Sequence, residues 1–218
     1  MPDNRPELRA PARWEQVLGR VLDLVLATVL VVLTAPLLIA IAIAVRLDSP
    51  GAALFRQRRL GRNRSGFTML KFRTMRVGGD DSAHRELIAR EIAGEDTSTG
   101  GSWKIDDDPR VTRVGHVLRR FSLDELPQLF NVIAGSMSLV GPRPCLDWEA
   151  ELFPPEYEHR FAVRPGLTGL WQVSGRSRLS TLDMLRLDAQ YVQAWSLLEN
   201  LRILVRTIPV LLRTDGAR

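Results

Sequence analysis

Two adjacent carboxylates, Asp124 and Glu125, follow a pair of arginines, Arg119 and Arg120, in the stretch from Arg119 to Asn131. Ser122 precedes Glu125 by the three residues of a capping box. Pro127 is tolerated in a first helical turn, where backbone N–H groups have no partners in any case. The spacing therefore predicts a helix that begins near Ser122 or Asp124 and ends before Gly135, with both acids at its positive end. Such an end stabilises anions and offers N–H groups to phosphates. The same residues also describe an ordinary capped helix start with a surface pair of acids. Adjacent residues of a regular helix point about 100° apart. The two carboxylates can thus share a metal ion only if one of them lies outside regular helix.

Cations recur at positions that suit an anionic ligand. Strand alternation at 67–72 and beyond puts Lys71 and Arg73 on one face and Phe72 on the other. A solvated strand face or contact with lipid headgroups fits that pattern too. Gly141, Pro142 and Pro144 hold Arg143 in a stiff segment, and a preorganised Arg loses less entropy on gripping a phosphate. Arg176 closes the turn-rich stretch Arg164–Arg176, a kind of loop that often carries binding groups. Asp106-Asp107-Asp108 offers carboxylates for a divalent cation but lacks ligand spacing, and a solvated acidic loop explains it as well. His84, His116 and His159 are scattered, which argues against structural zinc.

The elements that must position these groups start with a membrane segment. Residues 1–13 read as a Pro- and Arg-rich tail. From Leu24 to Val45 every residue is apolar, Thr or Pro, and about 20 such residues cross a bilayer core. Pro36 interrupts this run, and Thr34 can satisfy a carbonyl that it frees. Arginines flank both ends, so charge does not choose a crossing direction. A kinked helix that returns to one face and a tilted single span both remain open. Beyond a turn at Asp48-Ser49-Pro50-Gly51, short strands are expected at Ala53–Gln57 and Phe67–Phe72 with a hairpin loop between them. Helices are expected at 80–92, 110–120, around 156–161 and along 181–213, with a mobile loop at 94–108. The last helix interleaves Trp and Leu with Arg, and Tyr191 and Trp195 fall on one face of it. It suits either the membrane interface or the core.

The chain has 218 residues and a net charge of +5. That allows one domain with a sizeable core. Nearly all its basic residues are arginine, which fits phosphate ligands or an anionic membrane face. The single cysteine, Cys145, rules out an internal disulfide framework. Neither a helix-turn-helix pattern nor aromatic–basic interleaving supports nucleic-acid binding.

The sequence resembles the bacterial sugar transferases, monotopic phosphoglycosyl transferases. The resemblance spans about Val21 to Val210. It rests on FRQRRLGRN at 55–63, KFRTM at 71–75, DPRVTRVGHVLRRFSLDELPQLFNVIAGSMSLVGPRP at 108–144, RPGLTGLWQVSGR at 164–176 and LDAQYVQAWS at 187–196. The order and spacing of these segments make it specific. It implies an α+β, mostly helical protein, with a tail at 1–13, a re-entrant membrane helix at 14–47, a catalytic domain at 48–213 and a short tail at 214–218. A small β-hairpin and amphipathic interfacial helices would surround the domain, and the membrane helix would break at Thr34-Ala35-Pro36. The length matches a minimal catalytic form. The resemblance further implies transfer of a sugar-1-phosphate from a UDP-sugar to polyprenyl (undecaprenyl) phosphate, with release of UMP. Asp124 would be the nucleophile and Glu125 its partner, and Mg2+ the cofactor held by both. Lys71, Arg119, Arg143 and Asp188 would line the site, and the strand and loop readings above add Arg73 and Arg176 as candidate phosphate ligands. Expected partners are the two substrates and membrane lipid, with no nucleic acid; a homodimer is allowed for. The expected location is the cytoplasmic face of the bacterial inner membrane, in exopolysaccharide, capsule or related glycan assembly.

Overall fold

The computed structural model describes residues 12–76, 82–95, 97 and 110–212. The tails at 1–11 and 214–218, the Asp106-Asp107-Asp108 run and most of the expected 94–108 loop lie outside the described residues. Helix α1, Arg13–Asp48, takes 36 residues, about 54 Å at the helical rise. It continues through Pro36, without the break expected at Thr34-Ala35-Pro36. The Thr34 hydroxyl donates to the Leu30 carbonyl at 2.7 Å, not to the Val32 carbonyl that faces the proline ring. Along its middle and end, Val32, Leu33, Ile39, Ile43 and Leu47 are exposed. A contiguous bare apolar surface of this kind marks a membrane or partner contact.

Polar contacts fasten both ends of α1 to the rest of the chain. Near its start, Arg20 donates to the carbonyls of Val132 and Ile133 at 2.7 and 3.0 Å. Asp23 accepts from the Ser138 hydroxyl and the Leu139 N–H at 2.7 and 3.0 Å. At its end, Asp48 accepts the Val114 N–H at 3.0 Å. Arg73 donates to the Ser49 carbonyl at 2.7 Å and to that of Pro50. Ala27 joins one buried cluster with Leu129, Val132, Met137, Val140 and Tyr191. Ile41 and Val45 join another with Phe72 and Leu118.

Strands β1 (Leu54–Leu60) and β2 (Gly66–Phe72) form an antiparallel hairpin with Leu54 opposite Phe72 and Leu60 opposite Gly66. The first strand runs three residues past its expected end, because the Leu60 N–H finds the Cys145 carbonyl at 2.8 Å. Helices α2 (Ser82–Ile92) and α3 (Arg113–Arg120) follow. Thr112 caps α3 by accepting the Gly115 N–H at 3.0 Å. Next come a 3-10 turn at Leu123–Glu125 and α4, Gln128–Ala134, which ends at Gly135 with φ 85° as the sequence indicates. Strand β3 (Ser138–Val140) pairs in parallel with β4 (Gly166–Thr168), a second small sheet that sequence reading missed. Its backbones approach too closely for side chains: a Cβ on Gly166 would lie 2.0 Å from the Gly141 nitrogen.

Between β3 and β4 lie α5 (Asp147–Leu152) and a 3-10 helix at Pro155–Ala162. After β4 come α6 (Leu170–Ser174), a 3-10 turn at Arg176–Arg178, α7 (Thr181–Gln193) and α8 (Leu197–Leu212). The expected single helix over 181–213 is two helices. Ser196 starts α8 by accepting the Glu199 N–H at 3.1 Å, and Trp195 falls in the break, off the helical face of Tyr191. The Tyr191 hydroxyl bonds Val140 and Asn200 and ties α7 to β3 and α8. Leu198, Leu201, Val205 and Ile208 of α8 are exposed while Ile203 is buried. The helix thus serves the core on one face and presents an apolar stripe with Arg202 and Arg206 outside. The fold is mostly helical with small β elements, as expected.

Candidate active site

Asp124 and Glu125 sit on the 3-10 turn ahead of α4. Ser122 does not form the expected capping box. It takes φ 54°, and its carbonyl accepts the Glu125 N–H at 3.3 Å. A left-handed non-glycine residue is uncommon and costs on the order of 1 kcal/mol. Here it turns the chain sharply between α3 and the acids, and the turn packs against β2. Both acids therefore lie in a 3-10 turn, and the α-helix expected to begin near Ser122 or Asp124 begins at Gln128; at three residues per turn their side chains leave the backbone about 120° apart.

Lys71, from β2, places Nζ 2.8 Å from Glu125 Oε1. The two are partly buried. Burial pushes the Asp124 carboxyl up to about 6, Lys71 pulls it down, Glu125 adds to the rise and Arg119 pulls it down. Two cations thus act on Asp124, yet its negative charge is incompletely compensated. Arg119, at the end of α3, is steadied by its Nε–H to the Thr74 hydroxyl at 3.0 Å. Burial lowers the Arg176 guanidinium pKa while Glu125 raises it, which puts Arg176 within electrostatic reach of the pair. Arg176 has φ 52°, a second left-handed residue at the site. Asn131 ties α4 to β2 by accepting the Leu70 N–H and donating to the Thr68 carbonyl, at 3.0 and 2.7 Å.

Three expected site residues stand elsewhere. Arg73 is buried and occupied by the carbonyls that end α1. Its alternation with Lys71 fails because β2 stops at Phe72. Asp188 is 2 % exposed and pairs with Arg160 at 2.6 Å. That same Arg160 nitrogen donates to the Arg143 carbonyl at 2.8 Å. Arg143 itself is exposed, its guanidinium 5.8 Å from the Trp171 ring centre. The stiff segment around it is held by side chains as well as prolines. Arg59, ion-paired to Glu149 at 3.2 Å, also reaches the Pro144 carbonyl. Asp188 and Arg160 thus form a buried pair that holds the Arg143 backbone. The sequence gives no warning of Arg160, Arg59 or Glu149, since buried charges resemble surface ones in composition.

A Mg2+ ion typically takes one or two protein carboxylates and completes its shell with waters and phosphate oxygens. Asp124 and Glu125 match that donor set, and the incompletely compensated charge on Asp124 suits a cation. Among the described residues no cluster of three or more His, Cys, Asp or Glu offers another.

Fold and site together define a small protein with a bare apolar helix and a carboxylate pair set among cations. A family model described as bacterial sugar transferase matches residues 14–214. The chain belongs to that family and is a sugar-phosphate transferase. It is 46% identical over 208 residues to the UDP-glucose:undecaprenyl-phosphate glucose-1-phosphate transferase of Caulobacter vibrioides, covering 91% of this chain and 71% of the relative. It is 42% identical over 198 residues to the exopolysaccharide production protein ExoY of Sinorhizobium fredii, covering 91% and 87%. It is 37% identical over 209 residues to the undecaprenyl-phosphate galactose phosphotransferase of Salmonella typhimurium, covering 94% of this chain but 42% of that protein.

Proposed function

We propose that the protein transfers a sugar-1-phosphate from a UDP-sugar to undecaprenyl phosphate, through a phosphosugar held covalently on Asp124. A carboxylate oxygen of Asp124 attacks the β-phosphorus of the donor, the bond to the α-phosphate oxygen breaks, and UMP leaves. An oxygen of undecaprenyl phosphate then attacks the same phosphorus. The acyl-phosphate bond breaks, which frees Asp124 and yields the polyprenyl-diphospho-sugar. One site can thereby serve a soluble donor and a lipid acceptor in turn.

The observation that carries this reading is Asp124 beside the Lys71–Glu125 pair. Near neutral pH Asp124 is ionised, yet its charge is poorly compensated, which favours attack over idle pairing. Lys71 and Arg119 lower the repulsion between this carboxylate and the donor phosphates. With Arg176 they stabilise charge on the transferring phosphoryl oxygens, the main source of catalysis in such reactions. Mg2+, held by Asp124 and Glu125, would neutralise diphosphate charge when bound. Arg143, preorganised by its neighbours, is suited to a further phosphate.

The bare apolar surface of α1 supports a membrane placement. Both ends of this helix are fastened to the same helical domain, which supports a reading with both on one side of the bilayer and the bare apolar face of the unbroken helix turned to lipid. Basic flanks at both ends support the cytoplasmic face, and we read the reaction as one of the bacterial inner membrane. The deciding experiment is UMP release from UDP-glucose or UDP-galactose with undecaprenyl phosphate in detergent or nanodiscs. Asp124→Asn should abolish it, and release at the wild-type rate by that variant would overturn the mechanism.

A further inference from the structure

A second cationic site lies away from the dyad. A groove of about 840 Å3 is lined by Ala42 and Arg46 of α1, the Gly51–Leu54 turn and Arg56 of β1. Its walls are mainly alanine, glycine and leucine, and its two polar side chains are both arginines. Among the described residues neither arginine is paired with a carboxylate. Asp48, the nearest acid in sequence, is turned to the Val114 N–H instead.

The groove is separate from the active site by strand geometry. Phe55 stands opposite Lys71 in the hairpin register, so those two share a face of the sheet. Leu54 and Arg56 alternate with Phe55 and belong to the other face. The groove therefore opens across the hairpin from Lys71 and Glu125.

Its depth relative to the bilayer is set by α1. The apolar run ends at Val45, and Arg46 stands in the helix's last turn beside the exposed Leu47. That boundary between bare apolar helix and polar turn is where headgroup phosphates lie. Arginine at such a boundary keeps its stem on apolar surface and its charge at headgroup level.

We infer that this groove is a seat for an anionic membrane phospholipid, its phosphate between Arg46 and Arg56 and its first acyl carbons along Ala42 and the 51–54 turn. The seat fixes the depth at which α1 and the hairpin ride in the membrane. It rests on the membrane reading of α1 and not on the chemistry at Asp124.

The test places the full chain in nanodiscs of equal phosphatidylglycerol and phosphatidylcholine and counts retained lipids by native mass spectrometry. Wild type should retain phosphatidylglycerol preferentially. Arg46→Gln/Arg56→Gln should lower that preference about tenfold, with UMP release and the KM for undecaprenyl phosphate unchanged. Ala52→Glu, which adds an acid to the groove, should lower it too. Arg62→Gln/Arg186→Gln, an equal charge change at exposed positions elsewhere, should leave it intact. Undiminished preference in the first two variants overturns the inference, as does an equal loss in the control pair. A raised KM for undecaprenyl phosphate would assign the groove to the acceptor and overturn it as well. Absence of UMP release in wild type would count against the catalytic reading alone.

Discussion

At Asp124 one carboxyl group bears both the cost of burial and the requirement to stay charged. Its pKa is pushed up to about 6 by burial, above the ordinary 3.8. An acid whose folded-state pKa is raised favours the folded state when protonated. Stability is therefore lost as pH rises from about 4 through about 6. Asp124→Asn removes the charge and should stabilise the fold by on the order of 2 kcal/mol above that window. Thermal unfolding should show Tm higher by about 4–8 °C at pH 7.5 and little changed at pH 4, while UMP release is lost. A lower Tm at pH 7.5 would contradict the assignment of uncompensated charge. The same group sets the acid limb of kcat/KM, which should rise with pH, and raising the Mg2+ concentration should move that limb to lower pH, because a bound cation favours the carboxylate. Because Lys71 holds the Asp124 pKa down, Lys71→Gln should move that limb to higher pH and lower the plateau. An unmoved limb would mean that the titrating group is not Asp124.

Arg160 and Asp188 act at the scale of elements, since they join the 3-10 helix Pro155–Ala162, α7 and the Arg143 segment. Their side chains are 4% and 2% exposed. Breaking a buried pair from one side costs about 3–5 kcal/mol, whereas replacing both partners with apolar residues is often tolerated. Arg160→Met alone should therefore lower stability in denaturant titrations by that amount. Arg160→Met/Asp188→Leu should recover most of it. If the pair works by placing Arg143, the double variant stays slow in UMP release despite its restored stability. Full recovery of rate would reduce the pair to a packing role. This arrangement also shows what the sequence could and could not reveal. Alternating hydrophobicity exposed the hairpin, and Gly135 marked the end of α4, because local chemistry dictates both. The β3–β4 pairing is three residues a side and joins distant segments, so it leaves no local period. Capping-box spacing occurs at both Ser122/Glu125 and Ser196/Glu199, and the hydroxyl accepts a backbone N–H only at Ser196. Tertiary packing of the 3-10 turn on β2 decided the first case against local preference. Residue type and spacing marked Asp124, Glu125 and Lys71 as charges suited to an anionic ligand, and only the family resemblance made a catalytic pair of the two acids. The buried charges that hold Arg143 were not, because only the fold reveals which arginines are inside.

For the molecule as a whole, the decisive constraint is that one apolar helix is fastened to one domain at two places. Arg20 and Asp23 bind α4 and β3, while Asp48 and the carbonyls of Ser49 and Pro50 bind α3 and Arg73. A transmembrane crossing would pull one of these ends through the bilayer and leave its partners unsatisfied. Breaking the Arg20 or Asp23 contacts strands a charge and two carbonyls or an N–H, each costing about 1–3 kcal/mol. Crossing brings no comparable gain if the exposed apolar face of α1 meets hydrocarbon while both ends remain fastened. Labelling with a membrane-impermeant maleimide measures this directly. Ala12→Cys marks the start of α1 and Ser65→Cys the exposed hairpin loop, while the native Cys145 is buried and should stay silent. Both introduced thiols should react in inside-out vesicles and neither in intact spheroplasts. Reaction of Ala12→Cys from outside, with Ser65→Cys still inside, would establish a single span. The contacts of Arg20 and Asp23 with the domain would then have to be absent in the membrane.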